Sequence, residues 1–158
     1  MKYISFTDEP AIAPDEFFMK EALKEAQKAL ELDEVPIGAV IVHNARIIGR
    51  GHNLTETLND VTAHAEMQAF TAAANYTGGK YLKDCTLYVT IEPCVMCAGA
   101  SYWTQISRIV FAAHDMKRGF SQIKQRIVHP RTEIISGIMA ENAAQLMRDF
   151  FLAKRDKS

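Results

Sequence analysis

Three side chains in this sequence have the types and the spacing of zinc ligands. His64 offers an imidazole nitrogen, and Cys94 and Cys97 offer two thiolates three residues apart. A structural zinc site normally has four protein ligands, whereas one His and two Cys leave the fourth position of the tetrahedron open for water. The remaining thiol, Cys85, lies at the far end of a predicted strand that runs toward the motif, too distant to complete the set. The residues therefore predict a catalytic zinc site.

Glu66 lies two residues after His64 and supplies a carboxylate that the metal does not require. Zinc lowers the pKa of a bound water to about 7, and a neighbouring carboxylate can take that proton and pass it to a leaving nitrogen. Residues i and i+2 do not share a helix face. Both side chains can therefore reach one metal only from the first turn of a helix, and we expect Glu66 to be the catalytic proton carrier there.

The second half of the motif follows the same logic. Pro93 favours a helix start, and Cys94 and Cys97 then lie on one face of that helix, where the positive helix end stabilises thiolates. Taken alone, a Cys-x-x-Cys pair is equally consistent with a redox pair or with two small buried residues. The His-x-Glu pair thirty residues upstream (94 minus 64) favours zinc.

These motifs carry a resemblance to a known family. His-Ala-Glu followed by Pro-Cys-Val-Met-Cys is the signature of zinc-dependent nucleobase deaminases. More closely, the chain resembles the bacterial tRNA adenosine deaminases, which convert the wobble adenosine of an anticodon to inosine. The resemblance covers nearly the whole chain, and its matching runs lie at 34–40, 62–66, 86–100 and 149–151. The resemblance implies hydrolytic deamination with one Zn²⁺ per subunit, the fold of the cytidine deaminase superfamily, and a homodimer.

The resemblance also assigns residues to the substrate. It implies that Asn53 contacts the bound nucleoside, which suits an amide that both donates and accepts hydrogen bonds. It places Ala65, between the two motif residues of the first helix turn, in the substrate site as well. Asp115 follows the fourth predicted strand, where family members place a residue near the bound RNA loop.

Length and composition fit one deaminase domain over residues 1–158. The 158 residues are 48% hydrophobic and 23% charged, as in an ordinary globular protein. The first residues contain no apolar leader segment, and no apolar run approaches the roughly 18 residues of a membrane span. We therefore expect a cytoplasmic protein whose three cysteines serve metal binding rather than disulfides.

Charge is unevenly distributed along the chain. The formal net charge of −1 argues against a broadly basic nucleic-acid binder. Between Arg108 and Arg131, however, there are six basic residues and one acidic residue. We expect residues 117–131, together with the basic end of the last helix, to form a surface for an RNA backbone. The alternative is a solvated face without a ligand.

Hydrophobic periodicity and turn residues predict alternating helices and strands. Four main helices are expected, starting near Asp15, Thr62, Cys94 and Met139, with a short helix over 121–126. Five strands are expected, at 36–42, 46–51, 86–91, 108–113 and 132–136. This alternation predicts an α/β fold, a three-layer α/β/α sandwich with a central five-stranded mixed sheet. The site is expected where the second and third helices begin, at the carboxyl ends of strands.

Several local features are predicted within these elements. Asp15 and Thr62 are expected to be N-caps, and His43 is expected in the turn of the hairpin formed by the first two strands. The third helix is apolar nearly all round and is therefore expected to be buried, with Gly99 allowing close approach of a neighbour.

Three functions remain open from sequence: deamination of adenosine in tRNA, deamination of guanine or another free base or nucleoside, and a noncatalytic module that binds zinc or RNA. The length of the match and the basic stretch favour a tRNA anticodon loop. The segment after the fourth strand is shorter than in bacterial tRNA members and lacks their Gly-Ser and Asn-His pairs, and Tyr102-Trp103 resembles guanine deaminases. Those two aromatic residues are equally consistent with a core or dimer-interface pair. A noncatalytic module would lack Glu66 or Asn53, and both are present.

Overall fold

The computed structural model describes residues 14–157 as four α-helices and a five-stranded sheet. The helices are α1 (Pro14–Glu31), α2 (Ala65–Thr77), α3 (Val95–Thr104) and α4 (Ala140–Asp156). The strands are β1 (Gly38–His43), β2 (Arg46–His52), β3 (Cys85–Ile91), β4 (Arg108–Ala113) and β5 (Glu133–Ser136). The strands deviate from the predicted bounds by at most two residues at either end.

The sheet is mixed, as predicted, with the strand order β2-β1-β3-β4-β5. Strand β1 is antiparallel to both of its neighbours, whereas β3, β4 and β5 are parallel. The β1–β2 hairpin turns at Asn44 and Ala45, which have φ values of 49° and 59°. His43 is the last residue of β1 and pairs with Arg46, so its prediction as a turn residue was wrong.

Alternating side chains of the strands build two hydrophobic clusters, one on each face of the sheet. On one face, Ile41, Leu87 and Phe111 pack with buried residues of α2 and α3. On the other face, Val40 and Val110 pack with residues of α1 and α4. This arrangement confirms the three-layer α/β/α sandwich.

Helix α2 lies unusually close to β2, and glycines make this possible. A Cβ atom on Gly51 would come within 2.2 Å of the Ala65 carbonyl oxygen, and one on Gly49 within 2.6 Å of the Ala69 carbonyl oxygen. This contact fixes the first turn of α2 against the sheet. The sequence prediction gave such a role to Gly99, and it was wrong, because a Cβ atom there would meet nothing within 4 Å.

Asp15 ties α1 to the sheet instead of capping the helix. It lies in the first turn of α1, and its carboxylate accepts two hydrogen bonds of 2.8 Å from Arg108 and one of 2.7 Å from the Tyr88 hydroxyl. The Arg108 guanidinium is the main cause that lowers the pKa of Asp15. The predicted N-cap was therefore wrong, and the carboxylate serves a tertiary ion pair.

The cap of α2 also differs from the prediction. His64, not Thr62, is the N-cap residue of α2, while the Thr62 hydroxyl donates a 2.8 Å hydrogen bond to Asp60. At the other end, Gly78 ends the helix as predicted, with a φ of 76° and its N–H bonded to the Ala74 carbonyl. The later start brings His64 to the mouth of the helix.

Helix α3 is only partly buried. Cys97, Ala98 and Ser101 face the core, but the exposed fractions of Val95 and Trp103 are 51% and 76%. The prediction of an all-round buried helix was thus wrong. The short helix predicted over 121–126 is a single 3₁₀ turn, Phe120–Gln122.

In the described range, no helix is both long and apolar enough to cross a membrane.

Candidate active site

Two helix N-termini meet at the candidate site. His64 is the N-cap of α2 and Cys94 is the N-cap of α3, both with extended backbone (φ −72°). Because α3 follows β3 after a short turn, Cys94 lies at the carboxyl end of a strand in the parallel half of the sheet. Positive helix ends stabilise anions, so thiolates and a carboxylate are favoured here.

His64, Cys94 and Cys97 come together as predicted from the sequence. The His64 Nδ1 atom lies 3.6 Å from the Cys94 sulfur and 3.5 Å from the Cys97 sulfur. All three ligand atoms lie within 4.8 Å of one another. A tetrahedral zinc with bonds of 2.0–2.3 Å requires ligand separations of about 3.5 Å. The donor set and its spacing therefore fit one zinc ion with an open fourth position.

The pKa values of the two thiols indicate that this position favours a bound cation. A hydrogen bond from Cys97 lowers the pKa of Cys94 to about 4, and the same bond raises the pKa of Cys97. The neighbouring Cys94 also raises the pKa of His64. The pair thus favours one thiolate and one retained proton, and a coordinated metal ion would displace that proton.

Glu66 lies beside this group without belonging to it. Its side chain is 4% exposed, and burial raises its pKa, while a hydrogen bond with Cys97 acts in the opposite direction. The grouped ligand atoms are those of His64, Cys94 and Cys97. A buried carboxyl group with a raised pKa, next to these three ligand atoms, can hold a proton and release it.

A groove of about 1090 Å³ opens above these residues. Of the predicted site residues, Asn53, His64, Ala65, Glu66, Cys94 and Asp115 line it, and buried Cys97 lies behind His64. Asn53 is buried, with its side-chain oxygen accepting from the Thr55 N–H at 3.4 Å. The Asp115 carboxylate accepts from the N–H groups of Lys117 and Arg118, both at 3.0 Å. The structure thus brings the predicted residues to one place.

The basic residues at the groove differ in part from those predicted. Its rim includes Lys117 and Arg118 from the segment after β4, and Arg148, Lys154 and Arg155 from α4. Lys124, Arg126 and Arg131 do not line it, and Arg126 donates instead to the backbone carbonyls of His129 and Thr132. Of the basic residues predicted over 117–131, only Lys117 and Arg118 therefore line the groove, together with the basic residues of α4.

Sequence reasoning missed Glu92, a buried carboxylate that lines the groove between β3 and Cys94. Burial opposes its ionisation, but hydrogen bonds from Ser121, His114 and Asp115 lower its pKa overall. The available signal was an acidic residue directly after a predicted strand of mostly apolar residues and directly before the cysteine motif. Such a residue must find donors or a cation.

Comparisons with known proteins agree with this geometry. Residues 12–113 match the family described as the cytidine and deoxycytidylate deaminase zinc-binding region. The chain is 44% identical over 148 residues to a tRNA-specific adenosine deaminase of Bacillus subtilis (strain 168), covering 90% of this chain and 92% of the relative.

Solved structures show the same fold. One, from a study of A-to-I editing by tRNA:A34 deaminases at the wobble position of transfer RNA, has a TM-score of 0.78 and 41% identity, covering 82% of this chain and 98% of the other. A guanine deaminase from Bacillus subtilis is 42% identical but matches with a TM-score of 0.60, over 63% of this chain and 64% of the other. The chain therefore belongs to the cytidine and deoxycytidylate deaminase family of zinc-dependent hydrolytic deaminases.

Proposed function

We propose that this protein converts adenosine to inosine at the wobble position of tRNA and releases ammonia. The observation that carries this proposal is a group of zinc ligands with Glu66 beside it, at the floor of a groove whose rim carries five cations. A free base needs neither so large a groove nor such a rim. The similarity to a tRNA-specific adenosine deaminase over 90% of this chain supports the same substrate.

In this proposal, His64, Cys94 and Cys97 hold zinc, which when bound supplies a Lewis acid that makes water acidic near neutral pH. The Glu66 carboxylate takes a proton from the attacking water as the new C–O bond forms at the purine carbon. Glu66 delivers this proton to the purine ring nitrogen and then carries the proton of the new hydroxyl group to the amino nitrogen. The C–N bond breaks, ammonia leaves, and a carbonyl group remains on the purine carbon. The Asn53 amide and the Ala65 backbone orient the nucleoside.

The reacting base must leave its stack to reach the floor of the groove, as in other enzymes that act on nucleobases. Basic side chains at the rim can hold the phosphates on either side of the extruded base. Arg148 and Lys154 already pair with Glu141 and Asp33, whereas Lys117 and Arg118 are exposed on the segment that carries Asp115. We expect these two cations to make the main phosphate contacts on their side of the groove.

This function is tested with purified protein and separate substrates. An anticodon stem-loop RNA should release ammonia, whereas guanine, adenine, cytosine and their nucleosides should release far less. The Lys117→Ala/Arg118→Ala variant should weaken RNA binding and reduce the slope of log K against log salt by about 1.4, since each lost contact to single-stranded RNA contributes about 0.7. Lys124→Ala/Arg131→Ala removes the same charge outside the groove and should leave the slope unchanged. Turnover of guanine without turnover of the stem-loop would replace this proposal by guanine deamination.

We infer that residues 1–158 act as one deaminase domain in the cytoplasm. Both hydrophobic clusters lie on the same sheet, which supports a single folding unit. The three cysteines are free thiols, which agrees with a reducing compartment.

We also infer a homodimer that uses the exposed face of α3. Val95, Tyr102 and Trp103 are exposed on this helix, and the rings of Tyr102 and Trp103 meet edge to face at 5.3 Å. A second copy of the chain would cover this face. Since Trp is enriched at the hot spots of protein interfaces, Trp103→Lys should raise the dimer dissociation constant about 30-fold.

Sedimentation velocity at several protein concentrations measures this effect. Leu32→Lys is the control, because Leu32 is 50% exposed but follows α1 on the opposite face of the sheet. A monomer in the wild type, or equal effects of the two substitutions, would contradict an interface at α3.

A further inference from the structure

The Glu92 carboxylate gathers three donors from one later segment of the chain. Its Oε1 atom lies 3.1 Å from His114 Nδ1 and accepts from the Asp115 N–H at 3.2 Å. Its Oε2 atom accepts from the Ser121 N–H at 2.8 Å. The Glu92 side chain is almost wholly buried, so these bonds form out of competition with water. Each end of the segment 114–121 is thereby attached to one side chain.

The same segment also forms backbone hydrogen bonds with the turn that carries Cys94. The Phe120 N–H donates to the Pro93 carbonyl at 2.9 Å, and Cys94 forms an isolated bridge with Gly119. A Cβ atom on Gly119 would lie 2.3 Å from the Glu92 carboxyl carbon. Because the φ of Gly119 is −62°, glycine is needed here for space and not for backbone conformation.

We propose that Glu92 is a positioning residue that fixes segment 114–121 against the Cys94 turn and so determines how tightly the enzyme holds its RNA substrate. This inference rests on the proposed function for its substrate. Segment 114–121 carries Asp115, Lys117 and Arg118, which line the groove. Glu92 sets the distance of these three residues from the proposed zinc ligands, because one of those ligands, Cys94, lies only two positions after Glu92 in the chain.

The arrangement requires a carboxylate rather than an amide. Both oxygens of Glu92 face backbone N–H donors, from Asp115 on one side and Ser121 on the other. A Gln side chain offers one oxygen and one NH₂ group. In either orientation, the NH₂ group of a Gln would face a backbone N–H and leave it without an acceptor. Glu92→Gln therefore removes one of the two backbone attachments with little change in side-chain size.

Steady-state kinetics on an anticodon stem-loop test the proposal. Glu92→Gln should keep one zinc per chain and raise KM about tenfold, with kcat changed less than about threefold, because uniform binding is lost and the reacting groups stay. Gly119→Ala should likewise raise KM with little change in kcat, because the added Cβ atom would displace the Glu92 carboxylate. In Glu92→Ala there is no carboxylate to displace, so adding Gly119→Ala should cause no further loss.

A control separates positioning from general destabilisation. Thr132→Val removes a buried 2.6 Å hydrogen bond to the Ile106 carbonyl, away from the groove. It should lower stability and leave KM unchanged. If Glu92→Gln fails to fold, Gly119→Ala still supplies the test.

Amide hydrogen exchange gives a readout that needs no substrate. In Glu92→Gln, the N–H group that faces the new NH₂, that of Asp115 or that of Ser121, should exchange at least about tenfold faster than in the wild type, while Thr132→Val should leave both protected. If the wild type ignores the stem-loop, the proposed function fails, but accelerated exchange still supports positioning by Glu92. Unchanged exchange and KM, or a fall in kcat with loss of zinc, would overturn the inference.

Discussion

Glu66→Gln is expected to lower kcat by about 10²–10⁴-fold while the protein keeps one zinc per chain. The amide has nearly the size of the carboxyl group but cannot accept and release the proton of the attacking water. Glu66 is not part of the group of three atoms that could hold the metal, so its replacement should separate chemistry from metal binding. Single-turnover kinetics and metal analysis on the same preparation measure the two properties.

Glu25→Gln is the matched control for this prediction. Glu25, in α1, is as buried as Glu66, but it does not line the groove. Its carboxylate lies within 3.5 Å of nitrogen atoms of Lys28, Arg50 and His52. Its replacement should reduce stability and leave kcat within about threefold. If Glu66→Gln loses zinc together with activity, Glu66 is a ligand, and the mechanism proposed above is wrong.

The sequence was most informative where a local pattern decides the structure. The residue types and spacing of His64, Cys94 and Cys97 predicted a group of three ligands, and the structure brings these side chains together. The strands were also predicted well, since short runs rich in Val and Ile have few alternatives. The hairpin, the mixed sheet and the three layers followed from these strands and from the amphipathic helices.

Predictions failed where the answer depends on a distant neighbour. Gly51 and Gly99 are the same residue type, but of these two only Gly51 has a helix packed closely against it. No local sequence pattern indicates which glycine has such a neighbour. Asp is a residue type that favours the N-cap position, yet the Asp15 carboxylate accepts hydrogen bonds from Arg108, which is remote in the sequence. The apolar surface of α3 is exposed within this chain, because hydrophobicity does not say whether the core or a partner covers it.

Glu92 shows the same limit within the site. Its three donors come from residues 22 to 29 positions later, brought back by β4 and the turn after it. In the sequence, only its neighbours in the cysteine motif were visible. A buried carboxylate that organises backbone N–H groups leaves no spacing pattern, unlike a metal ligand.

Cys94→Ala is expected to abolish zinc binding at stoichiometric metal and to remove detectable turnover. Apparent binding free energies of about 10–16 kcal/mol for structural zinc sites correspond to roughly 3 kcal/mol for each ligand, or more than about 100-fold in affinity. With one ligand lost, His64 and Cys97 alone form too weak a site. Thermal unfolding should also lose its dependence on added zinc, because a ligand that binds the native state stabilises it by mass action.

Cys85→Ala is the control that gives this prediction its force. Cys85 is a free and buried thiol like Cys97, but it lies at the start of β3, remote from the metal group. Its loss should create a small cavity and reduce stability, while one zinc per chain and the turnover rate remain. Full zinc content in Cys94→Ala would mean that another side chain completes the site. Within residues 14–157 no second group of three or more His, Cys, Asp or Glu side chains is this close together, so that outcome would contradict both the ligand assignment and the geometry on which the mechanism depends.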